Sequence, residues 1–165
     1  MQVELIENKT GLVRKAHISL AKIKDIPSKR DGWKFTWRKL FKIEGGIFYK
    51  ICLEEVPEVI EGMLMLTVLF DEVVYMNNVE IAPHNYGKSG DYENVAGCLI
   101  AYACRESFDR GKNDYKGFLS FDSKTELIEF YARKYGATVA RGSKMFIDSE
   151  VGKELMEKYL KIPII

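Results

Sequence analysis

Apolar and polar positions change their rhythm several times along the chain, and the changes mark out elements. Val3 to Ile6 has the short alternation of a first strand. A loosely amphipathic stretch follows through His17, Leu20 and Ile23 to Pro27, and Asp31 to Lys42 sets Trp33, Trp37, Leu40 and Phe41 at the i, i+4, i+7, i+8 spacing of a helix. Gly45-Gly46 ends that pattern. Residues 1–46 are therefore expected to be largely helical.

From Ile47 three runs rich in β-branched and aromatic residues, IFYKICLEE, VIEGMLMLTVLFDE and VVYMNNVEIAP, are separated by breaks of hairpin size and predict an antiparallel meander. After Pro83 comes the polar loop HNYGKSGDYEN, then Val95 to Phe108, apolar on almost every side as a helix buried against a sheet would be. KGFLSFDS predicts a strand. Ser123 and Glu126 have capping-box spacing before a helix from Glu126 to Tyr135, which Gly136 stops. Thr138 to Ala140 and Lys144 to Ile147 predict short strands, Val151 to Leu160 a last helix, and Pro163 the end of regular structure. A meander that gives way to strand-helix-strand implies an α+β fold with a mixed sheet.

At 165 residues, without repeat or linker, the chain is expected to be one domain, residues 1–165. The longest apolar run, Met63 to Phe70, stops at Asp71 and is too short to span a bilayer. The first residues lack the cationic-then-apolar order of an export signal, and Cys52, Cys98 and Cys104 have neither disulfide nor zinc spacing, so a cytoplasmic protein without a metal is expected. A formal net charge of +1 argues against bulk electrostatic binding to nucleic acid and leaves room only for a local patch. SKRDGWKFTWRKLFK is the candidate: Lys29, Arg30, Lys34, Arg38, Lys39 and Lys42 interleave with Trp33 and Trp37. Such a mixture suits single-stranded nucleic acid by charge and stacking, or equally a core-packed helix with a solvated basic side.

The passage from VEIAP through the loop into YENVAGCLIAYA has its own chemistry. Helix-start N–H groups are unpaired and point outward, so with permissive Asn94, Ala96 and Gly97 beside them they form a potential phosphate site. This stretch, the strand GFLSFDS and the segment ELIEFYARKYGA together resemble the GNAT superfamily of acyl-CoA N-acetyltransferases over roughly residues 60 to 147. The resemblance implies an α/β/α sandwich with a mostly antiparallel sheet of six or seven strands, a splayed central strand pair, and residues 1–46 on the acceptor side. It also implies transfer of an acetyl group from acetyl-CoA, as co-substrate, to an amine of a small molecule or protein by a monomer or homodimer. The alternative is a non-catalytic acyl-CoA-binding or protein-interaction module on the same fold.

Residue roles follow from the same resemblance. Pantetheine would add to the backbone of Glu80, Ile81, Ala82 and Pro83 as an extra strand does, and the pyrophosphate would meet Tyr92, Asn94, Val95, Ala96 and Gly97, with Lys88 and Lys124 supplying charge. The family signature falls on Asp91-Tyr92-Glu93-Asn94-Val95-Ala96, where Asp91 and Asn94 depart from it. Tyr131 would protonate the leaving thiolate, although it also belongs to the stripe Leu127, Tyr131, Tyr135. Glu80, between Val79 and Ile81, is the candidate base, with Asn78 on its face of the strand and His84 second by chemistry. Trp33 and Trp37 are candidates for shaping the amine site.

Overall fold

The computed structural model describes residues 1–162; Pro163 and its expected role lie outside them. The chain divides into two compact units, Met1–Met65 with Asn78–Leu99, and Leu66–Asn77 with the chain from Ile100 onward. Nine strands are present among the described residues, against the six or seven expected.

In the first unit, β1 (Gln2–Glu7) and β2 (Val13–Leu20) form a hairpin, with Val3 facing Ala16 and Leu5 facing Arg14. Val3, Leu5, Ala16 and Ile18 are buried at alternate positions, so a period of two governs here. The expected helical stretch through His17 is thus a strand: His17 is exposed on β2 and its Nε2 meets Glu54 Oε1 at 2.6 Å. β3 (Ile47–Leu53) pairs antiparallel with β2, and β4 (Gly62–Leu69) lies beside β3. β5 (Val73–Ile81) follows β4, as the meander predicted; β4 from Leu66 and β5 up to Asn77 belong to the second unit.

The helix expected over 31–42 shrinks to α1 (Trp37–Leu40), preceded by a 3-10 turn at Lys29–Asp31. Gly32, left-handed at φ 93°, turns the chain between them, and the Glu80 carboxylate takes the N–H groups of Lys34 and Phe35. Trp33 and Trp37 are buried in one cluster with Ile26, Phe48, Met63, Met65 and Ala82.

β6 (Tyr92–Glu93), which no pattern in the sequence marks, pairs with β1 through Ile6–Glu93 and Glu7–Tyr92. α2 (Val95–Arg110) begins directly after it. Its first turn in this unit packs on β4 at Gly62, where an added Cβ would stand 2.8 Å from Val95 Cγ1 and 2.9 Å from Leu99 Cδ1.

In the second unit β7 (Leu119–Asp122) pairs parallel with β5 over Val74–Met76 and antiparallel with β9 (Lys144–Ile147), which pairs in turn with β8 (Thr138–Arg141). α3 (Ile128–Tyr135) ends at Gly136, as expected, with φ 67°. The capping box does not form: the Ser123 N–H donates to Ser143 O, which holds Ser123 against the β8–β9 turn, and its hydroxyl donates to Lys124 O. α4 (Ser149–Leu155) continues into a wider turn at Met156–Leu160, its start capped by the Asp148 carboxylate accepting from Val151 N. No described helix is long and apolar enough to cross a membrane.

Candidate functional site

Alternation along β5 sets the site in the first unit. In this unit Glu80 and Ala82 are buried, whereas Val79 and Ile81 are half-buried. The Ala82 N–H donates to Glu61 O at 2.8 Å, so residue 82 turns its backbone toward β4. Glu80, two residues earlier, does the same by the period of two, and its carbonyl oxygen lies beside Gly62. Val79 and Ile81 then direct their N–H and C=O groups to the opposite edge. The register with β7 covers only Val74–Met76, and β5 continues to Ile81. Of the backbone expected to bind pantetheine, Ile81 directs its N–H and C=O away from β4, while the Ala82 N–H is spent internally.

Glu80 is only 7% exposed. Its Oε2 accepts from Lys34 N (2.6 Å) and the Tyr86 hydroxyl (3.0 Å), and its Oε1 from Phe35 N (3.1 Å) and Trp37 Nε1 (2.9 Å). A carboxylate has about four acceptor positions, and all are filled. Glu80 would have to release one of these donors before taking a proton from an amine. Burial, then the hydrogen bond to Glu80, pushes the Tyr86 phenol up to about 12. The Lys34 ammonium lies 5.0 Å over the Tyr86 ring.

A second polar group closes the end of β5. Buried Glu61 Oε1 meets His84 Nε2 at 2.6 Å and accepts from Asn85 Nδ2 at 3.0 Å. The Asn85 amide also donates to Glu61 O, and its Oδ1 accepts from Tyr92 N. This fixes the loop that carries Lys88, and Gly90 packs so closely on the Asn85 carbonyl that a Cβ would stand 2.4 Å from it. Lys88 and Tyr92 line a surface cleft with Glu7, Lys9 and Asp91. Asp91 is exposed.

Asn94 adopts φ 74°, the left-handed conformation asparagine tolerates. The first ladder bond of α2 runs from Cys98 N to Asn94 O, so the N–H groups of Val95, Ala96 and Gly97 precede the ladder. Asn78 is half-buried on the face of β5 that carries Glu80. Trp33 and Trp37 are 6% and 0% exposed, which makes them core residues of this unit.

The second unit holds Tyr131 and Lys124. Tyr131 packs edge-on against Phe121, centroids 5.2 Å apart, and burial pushes its phenol above the ordinary value. Lys124 is exposed at the start of the turn Thr125–Leu127. Burial raises the Cys52 and Cys104 thiols to about 11 and about 12, which removes both as nucleophiles at neutral pH. The four-donor cage on Glu80 and the Glu61–His84 pair had no signature in the sequence, since their partners are distant in the chain.

No family model matches the chain, and no curated protein matches it. Solved structures do. The KacTA–DNA complex aligns over 87% of this chain and 99% of that one at TM-score 0.62 and 12% identity. AtaTR bound with acetyl-CoA aligns over 86% and 98% at TM-score 0.62 and 14% identity. A GNAT family acetyltransferase from Elizabethkingia anophelis, with acetyl-CoA bound, aligns over 76% and 78% at TM-score 0.53 and 15% identity. The fold of this chain is GNAT-like.

Proposed function

We propose that this chain transfers the acetyl group of acetyl-CoA directly to a primary amine of a small molecule or protein. The observation that carries the reading is the edge of β5, where Val79 and Ile81 direct backbone donors and acceptors away from β4 beyond the β7 register. An amide-bearing chain such as pantetheine adds to such an edge as a strand would. The first-turn N–H groups of α2 supply a charge-independent seat for a pyrophosphate. The acetyl-CoA bound to structural neighbours of the same fold supports the choice of cofactor.

In the reaction the amine nitrogen attacks the thioester carbonyl, the C–N bond forms, the C–S bond breaks, and the thiolate takes a proton. Tyr131 is the proposed proton donor: a phenol is protonated at neutral pH and has an O–H to give. With the Glu80 carboxylate filled, His84 is the better proton acceptor. When Nε2–H donates to Glu61, Nδ1 carries the lone pair, and the side chain is 37% exposed. Glu80 in this reading positions the 34–37 segment.

Thiol release from acetyl-CoA, measured across a panel of amines and peptides, tests the activity. Tyr131→Phe is expected to keep cofactor affinity and lose about 10²-fold in turnover; unchanged turnover removes the acid role. Cofactor binding with no thiol release for any acceptor would favour the non-catalytic acyl-CoA-binding module.

A further inference from the structure

The net charge of +1 conceals a segregation. Eight of the 25 Lys and Arg residues and two of the 24 acidic residues fall within residues 22–42, so this stretch carries +6 and the rest of the chain −5. All eight cations are exposed. None forms an ion pair with a carboxylate within the described residues. Asp25 is paired with Lys50, outside the stretch, at 2.9 Å, which leaves Asp31 as its one exposed acidic side chain. Eight like charges without carboxylate partners in one segment raise its electrostatic energy. They persist here because the backbone beneath them is fixed: Ile26, Trp33 and Trp37 are sunk into the core, and Glu80 holds Lys34 N, Phe35 N and Trp37 Nε1.

We propose that residues 22–42 form a binding surface for the phosphate backbone of a nucleic acid. The proposal does not depend on the proposed acetyl transfer. A nucleic acid presents closely and regularly spaced charge, and each phosphate neutralised by a lysine or arginine releases condensed counterions. A set of exposed cations with little internal countercharge is the complement of such a partner. Burial of both tryptophans removes the stacking platform that sequence-tolerant single-strand binders use. Recognition here is therefore by charge, without preference for base sequence. Exposed Ile23 and Ile43, 80% and 49% accessible, would matter to an acidic peptide but have no part in phosphate contact.

The test is fluorescence polarisation with labelled 20-nucleotide DNA, single-stranded and duplex, from 50 to 200 mM KCl. If half of the eight cations reach phosphates, log affinity for the duplex falls with log salt at a slope near −3.6, about a 10²-fold loss over this range. The fourfold variant Lys29→Gln, Arg30→Gln, Lys39→Gln, Lys42→Gln is expected to flatten the slope by about one for each phosphate that is no longer neutralised. A control changing Lys15, Lys116, Lys144 and Lys161 to Gln removes the same charge elsewhere, and circular dichroism checks that both variants fold. Slope and affinity preserved in the control but lost in the 22–42 variant support the proposal. It is overturned by absence of binding at 50 mM KCl, by equal losses in the two variants, or by binding that salt does not weaken. Tighter binding of an acidic peptide, weakened by Ile23→Ser, would also overturn it.

Discussion

Four donors converge on the Glu80 carboxylate, two of them backbone N–H groups and one an indole N–H that has no water to turn to. Glu80→Ala would leave the Trp37 indole N–H buried without an acceptor and free the 34–35 backbone from its anchor. At about 1–3 kcal/mol for an unsatisfied buried donor, the expected loss is about 3 kcal/mol of stability. In a chain of this length that lowers the melting temperature by about 6–12 °C. Thermal denaturation of the purified variant checks it; an unchanged melting temperature would mean that the cage contributes nothing. Alternation alone placed Glu80 with Asn78 and opposite Val79 and Ile81, and the structure keeps that arrangement. What alternation could not supply was the identity of the facing element. The Glu80 side of β5 meets Trp37 in the core, and the Glu80 carboxylate accepts from Trp37 Nε1 and from the N–H groups of Lys34 and Phe35 there.

Among the elements, the meander, α2, β7, β8, β9 and the end of α3 at Gly136 were legible because their periods and stop signals are local. The amino-terminal region was not. In β2 the buried positions are Ala16 and Ile18, and residues such as Leu20 and Ile23, exposed in the structure, counterfeited a helical spacing. β6 is two residues long and exists only through pairing with β1, which no local pattern encodes. The junction of β4 with α2 has a sharper signature, a glycine at the start of an otherwise bulky strand. Gly62→Ala would drive a Cβ to within 3 Å of Val95 and Leu99. Overpacking of this kind costs about 1–3 kcal/mol, and it presses on the first turn of α2, whose N–H groups are the proposed pyrophosphate seat. The expected outcome is a lower melting temperature together with weaker acetyl-CoA binding; a variant altered in neither would show that the packing there yields freely.

For the molecule as a whole, a near-zero net charge is compatible with the two proposed anionic partners because neither needs the total. One is met by a strand edge and a helix start, which carry dipoles and hydrogen-bond donors and no formal charge. The other is met by a +6 segment whose balance lies elsewhere in the chain. Acetyl transfer as proposed stands or falls on whether the edge of β5 at Val79 and Ile81 takes the cofactor. Isothermal titration with acetyl-CoA, on the wild type and on Ile81→Pro, isolates that edge, because proline removes the Ile81 donor and no side-chain charge. The wild type is expected to bind with a Kd between about 1 µM and 1 mM, and Ile81→Pro about 5–10-fold more weakly, the worth of one hydrogen bond. No binding by the wild type at millimolar acetyl-CoA, or equal binding by both proteins, would refute the role of this edge.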